Sequence, residues 1–222
     1  PIHSSAASDV YKRQDYAALD GFDPDEASGF VPVSERSPLD RWVLSKVTEM
    51  ADEYHSNFVS WDFHKAGRGL EDFVVNDLSN WYVRRSRRRL WDEADSNDKR
   101  ACQHTLHEVL LVICKLMAPV SPFIPDHIHR GLAGSSVHLA DWPVGSEIVD
   151  RSLPNRDFGL EQEMSLVRSL AEAGRRIRVD SNRRQRLPCR TGWIVGGPDI
   201  SRFSDCLLYK SPSPRDNRVS RM

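Results

Sequence analysis

The chain has 222 residues and a formal net charge of −1 at neutral pH, long enough for one large or two small domains with a real core. It is not a generally basic protein, so any contact with nucleic acid must come from a local patch. No run of about 18 apolar residues offers a membrane span and no N-terminal stretch reads as a secretory signal; the four cysteines, Cys102, Cys114, Cys189 and Cys206, lack C-x-x-C spacing and fit free thiols of a cytoplasmic protein.

Residues 1–14, PIHSSAASDVYKRQ, begin on proline, and residues 206–222 show no periodicity. Both resemble translated sequencing-adapter read-through and are expected to be non-native. Residues 15–37 are rich in Asp, Pro, Gly and Ser and read as a connector. A first helix is predicted over about 38–56. Ser37 is placed to cap it, Pro38 suits its first position, and Leu39, Trp42, Val43, Val47, Met50 and Tyr54 recur at helical spacing. A second start at Ser60 opens a long proline-free helix ending near Trp91, with Phe63, Ala66, Leu70, Phe73, Val74 and Leu78 on one stripe. A third helix is predicted over about 99–117, where VLLVICKLM is nearly all apolar and belongs in the middle of a bundle. After the breaker APVSPFIP, Ser121 is expected to cap a short fourth helix that closes at Gly131. The next loop has room for one short strand. A fifth helix spans about 158–179, and residues beyond it turn toward short strands. The fold class predicted is all-α, a helical bundle, with a short partial α+β segment at its C-terminal end.

The stretch LSNWYVRRSRRRLW, residues 78–91, sets five arginines among the six residues from Arg84 to Arg89. A Trp-Tyr pair precedes the run and another Trp follows it. Projected at ~100° per residue from Phe63, Leu70, Val74 and Trp81 fall within about 20° of the origin. Arg88 lies beside them, Arg84 and Arg85 about 60° and 40° to either side, with Arg87 and Arg89 flanking. Asp77 sits on the same side, one turn before Trp81. An unpaired buried guanidinium is costly, so these groups must find an acid, reach water or meet an anionic partner. Two readings stay open on spacing alone. In one, Asp77 and acids of neighbouring helices hold the arginines, Trp81 and Trp91 are core, and the chain is a helical protein–protein scaffold. In the other, the guanidinium forks clamp phosphates, while Trp81 or Tyr82 offers a base a stacking face.

No metal site is expected. His127 and His129 lie ~200° apart on a helix, and His104 and His107 have only Glu108 as a nearby third ligand. Cys114 reads as core, VGGPD as a turn, and Trp42, Trp61, Trp91 and Trp142 as packing.

NDLSNWYVRRSRRRLW resembles the signature of the anticodon-binding helical domain of isoleucyl-tRNA synthetases, class I aminoacyl-tRNA synthetases. The likeness extends through DYAALDGFDP, SPLDRWVLSKV, LMAPVSPFIPDHIHRGL, SVHLADWP and LEQEMSLVRSLAEAGRRIR, covering about residues 15–195. Their order and spacing resemble the archaeal and eukaryotic-like branch. The resemblance implies a connector from a catalytic domain over 15–37, the anticodon-binding bundle over 38–145, and the start of a C-terminal helix and strand region over 146–205. It implies tRNA-Ile and the catalytic domain of the same chain as partners, with Trp81, Tyr82, Arg84, Arg85, Arg88 and Arg89 at the RNA. Asp40, Arg41, Asp77, Asn80, Arg175, Arg176, Arg183 and Arg184 would support them, Asp40 and Arg41 by pairing across to the second helix. The family's two catalytic signatures, His-x-Gly-His and Lys-Met-Ser-Lys-Ser, are absent from the sequence. No residue here is therefore expected to be catalytic, and ATP and Mg²⁺ would serve the parent enzyme alone. The equivalent domain of a valyl-, leucyl- or methionyl-tRNA synthetase is the nearest alternative.

Overall fold

The computed structural model describes residues 31–91, 96–143, 156–182, 184 and 201–203. In chain order it holds α1 (Pro38–Val59), α2 (Phe63–Asp72), a π-helical segment (Phe73–Val83), α3 (Arg84–Leu90), α4 (Asn97–Met117), α5 (Phe123–Ala133) and α6 (Phe158–Asp180). Short 3-10 turns lie at Val33–Glu35, Val137–Leu139 and Ser201–Phe203. Helices make up most of the described residues, and none of these residues is in a strand. The chain divides after Asp157 into two compact units.

In the first unit, α1 packs against α2, the π segment and α4, while α4 also meets α3 and α5. Both long helices bury stripes at helical spacing. Trp42, Val43, Val47 and Tyr54 of α1 and Val109, Val112 and Leu116 of α4 are almost wholly removed from water. Burial contributes about 1.5–3 kcal/mol for a large apolar side chain. Ser37 caps α1 as expected, its Oγ accepting from the Asp40 N–H at 3.3 Å, with Pro38 at the first position. Ser96 caps α4 in the same way through the Lys99 N–H at 3.1 Å.

Two expected caps are corrected. Ser60 ends α1 rather than starting α2. The Asp62 N–H bonds back to the Asn57 carbonyl at 2.8 Å and the Trp61 N–H to the Phe58 carbonyl at 3.1 Å, the paired bonds of a Schellman motif. Asp62 then caps α2 by accepting from the Lys65 N–H. Ser121 does not cap α5, whose N-cap is Pro122 without a side-chain bond. That helix runs through Gly131 and stops at Gly134, whose φ of 68° is the left-handed conformation a glycine adopts at low cost. The strand allowed for after it is a 3-10 turn, Val137–Leu139.

Asp126 of α5 holds that turn in place. Its carboxylate accepts from Ser136 Oγ at 2.6 Å, the Val137 N–H at 3.0 Å and Arg130 Nε at 2.8 Å. These bonds, led by those from Ser136 and Arg130, hold its pKa down at about 2. A depressed carboxylate stabilises the fold fully above its unfolded value of about 3.9 and loses that contribution as pH falls toward the folded value. Asp126→Asn should therefore flatten the fall in urea midpoint between about pH 4 and pH 2.

The second unit holds α6, which buries Leu160, Met164 and Val167, and the turn bearing the buried Phe203. Arg202 pairs with Glu163 there. The expected non-native ends, residues 15–30 of the connector and nearly all of the expected C-terminal strand segment lie outside the described residues.

Candidate nucleic-acid interface

The arginine run occupies α3 at the end of a helix that is continuous from Phe63 to Leu90. The uniform ~100° projection fails along it because the turns from Phe73 to Val83 are π-helical and each holds more residues than an α turn. Leu78, Tyr82 and Ser86, four residues apart each time, are all buried. At α spacing that series would drift off the core. The lag turns Ser86 and Arg89 inward and leaves Arg84 and Arg88 exposed.

Arg89 is thus the arginine that finds acids. Its Nη1 and Nη2 donate to the two Asp40 oxygens at 2.9 and 2.6 Å, and Nε donates to Asp98 at 2.7 Å. Asp40 is fully buried and also accepts from Tyr82 Oη at 2.6 Å and Ser37 Oγ at 2.8 Å. Tyr82 Oη lies 3.4 Å from Cys102 Sγ. Burial, then the Asp40 charge, pushes the Tyr82 phenol well above its usual range. Burial likewise pushes the Cys102 thiol up to about 11. For Arg89 burial opposes the charge, but the Asp40 hydrogen bonds and neighbouring groups outweigh it and raise its pKa. Tyr82 is a neutral donor and Arg89 a permanent cation, so the cluster joins α1, the π segment, α3 and α4 around one cation and two carboxylates.

These positions correct part of the expected site. Arg89 is engaged by Asp40 and Asp98, which ties it into the fold. Trp81 and Tyr82 are buried, and no face of either is open to a base. The Arg85 guanidinium sits 3.1 Å from the centre of the Trp81 ring. Arg41 pairs with Asp157 at 3.1 Å rather than with the second helix. Asp77 is buried and Asn80 exposed. Arg175, Arg176 and Arg184 are exposed, Arg176 in an ion pair with Glu172, whereas Arg183 lies outside the described residues. Arg84 and Arg88 are exposed and form no ion pair among the described residues. Among the described residues internal acids therefore account for Arg89, while Arg85 is held over the Trp81 ring and donates to the Trp81 carbonyl.

Sequence reasoning missed Arg36, which it left in the connector. Arg36 is buried and grips Glu108 of α4 through two bonds of 2.8 Å, with a third to Thr105 Oγ1. Its position just before the Ser37 cap was the available signal. Asp98 was also missed, although an acid in the first turn of α4 invites a cation. Among the described histidines, His129 is buried with Nδ1 2.8 Å from the Ser135 carbonyl oxygen, and His107 Nε2 lies 3.2 Å from the Leu132 carbonyl oxygen. No group of three or more metal-binding side chains is assembled among the described residues.

The family model for the anticodon-binding domain of tRNA ligases matches residues 40–191, from the buried acid of α1 to beyond the end of α6. The chain belongs to this family. Among its relatives is an isoleucine–tRNA ligase of Deinococcus radiodurans, 43% identical over 176 residues, 78% of this chain and 15% of the relative. Another, from Chlamydia trachomatis serovar L2, is 38% identical over 188 residues, 83% of this chain and 17% of the relative. A third, from Methanothrix thermoacetophila, is 36% identical over 181 residues, 78% of this chain and 16% of the relative. The chain spans about a sixth of the length of these curated relatives. As an anticodon-binding domain it presents an arginine helix in which one guanidinium locks the bundle and two face water.

Proposed function

We propose that the chain is the anticodon-binding part of an isoleucine–tRNA ligase and docks the anticodon stem-loop of tRNA-Ile. The observation that carries this reading is the exposure of Arg84 and Arg88, without acid partners among the described residues, at one end of an anticodon-binding bundle. Guanidinium groups so placed suit phosphate oxygens, which position an RNA without reading its bases. Arg85 contributes from beside them. In the parent, ATP and Mg²⁺ would serve adenylate formation in a catalytic domain of the same chain, in the cytoplasm. This chain's residues lack the two ATP-contacting signatures, so they bind and orient RNA and carry no chemical step. The order of the matching segments supports placing the parent with the archaeal and eukaryotic-like branch.

The test is binding of a tRNA-Ile transcript to the chain across a salt series. Arg84→Ala and Arg88→Ala should each flatten the slope of log K against log salt by about 0.7–0.9 for every phosphate left unneutralised. An unchanged slope in both variants would overturn the phosphate role.

A further inference from the structure

The Schellman turn between α1 and α2 places Trp61 in the left-handed region, with φ of 63°. Local physics asks for glycine at that position, because a Cβ meets the backbone there. Packing does not compensate. Trp61 is 81% exposed, and Phe63, expected in the core stripe, is 46% exposed. The Trp61 ring is braced at its edge rather than covered. It lies 5.7 Å from Phe63 at 74°, and Phe63 lies 4.9 Å from Phe58 at 69°. One turn along α2 from Phe63 stands Gly67, where a Cβ would meet nothing within 4 Å, so no steric demand inside the protein accounts for a glycine in mid-helix. His64, Lys65 and Arg68 on the same short helix are exposed; Lys65 is paired with Asp62, and Arg68 forms no ion pair among the described residues. Backbone strain that packing does not offset clusters at ligand sites. A glycine with free space around it admits close approach of a ligand.

We propose that Trp61, steadied by Phe63, is a stacking platform for an unpaired nucleobase, with Gly67 leaving room for the nucleotide and Arg68 supplying a cation for its phosphate. Stacking on an exposed aromatic ring is how single-stranded RNA loops are held. It gives this chain the base-contacting surface that the buried Trp81 and Tyr82 do not offer. The proposal rests on the RNA-binding reading above, but it concerns the other end of the helix, roughly 30 Å from Arg84 and Arg88.

The experiment compares the chain with Trp61→Gly, Trp61→Ala and Trp61→Phe against two probes: a hairpin RNA carrying the anticodon loop of tRNA-Ile, and the same stem as a loopless duplex. Trp61→Gly should raise thermal stability, because it relieves the backbone, yet weaken hairpin binding about tenfold or more. Trp61→Ala should weaken hairpin binding equally, and Trp61→Phe should retain most of it. Duplex binding and the salt slope should be unchanged in all three, because no charge is removed. Hairpin affinity unaltered by Trp61→Gly would overturn the platform. So would unaltered hairpin affinity accompanied by a change in self-association, which would make the patch a protein contact. Loss of salt dependence in Arg84→Ala and Arg88→Ala is read independently, so the two proposals fail separately.

Discussion

Asp40→Ala is expected to destabilise the bundle by about 3–5 kcal/mol, the cost of removing one partner from a buried ion pair. The Asp40 carboxylate is wholly out of water and receives four side-chain hydrogen bonds, two from Arg89 and one each from Tyr82 and Ser37. Its removal leaves Arg89 with only Asp98, whose side chain is 57% exposed, and leaves the Tyr82 hydroxyl against a thiol. Urea denaturation of the chain measures the loss. Asp98→Ala provides the comparison and should cost at most about 1 kcal/mol, since water screens that half of the bridge. Adding Arg89→Met to Asp40→Ala should recover part of the loss, because it removes the stranded cation. Equal effects of Asp40→Ala and Asp98→Ala would show that Asp40 does not anchor Arg89.

Glu108→Ala should act through the same physics at the start of the bundle. The Arg36 side chain is completely buried, whereas Glu108 is 16% exposed. Losing the acid strands a guanidinium whose remaining partners include the Thr105 hydroxyl and the Val31 carbonyl. A cost of about 3–5 kcal/mol is expected. Arg36→Met should cost less, because the orphaned Glu108 can reach water and the methionine keeps the buried stem packed. Denaturation midpoints of the two variants decide the order, and a larger loss from Arg36→Met would reverse the assignment of the buried partner.

The helices were legible because their signals are local. Ser37-Pro38 and the stripe from Leu39 to Tyr54 are a cap and a period, and both act within a few residues of themselves. The apolar run of α4 announced a central helix for the same reason. The caps misread at Ser60 and Ser121 lie at junctions, where a serine can end one helix or start the next and only the carbonyls available to bond decide. The family was legible too, since NDLSNWYVRRSRRRLW and LMAPVSPFIPDHIHRGL are read as residue identities whatever the surrounding packing.

Which arginines face inward was not legible. A wheel drawn at a constant angle accumulates error, and the π segment from Phe73 to Val83 rotates everything after it. Nothing within ten residues of Arg89 reveals that Asp40 waits 49 positions upstream. Local periodicity and capping chemistry therefore settle that this chain is a helical bundle, while its anticodon-binding kind rests on the resemblance of its residue strings and on the family match. The partners of each charge, and hence which cations remain for an RNA, follow from long-range burial, because a guanidinium chooses its acid by distance and dehydration rather than by its neighbours in the chain.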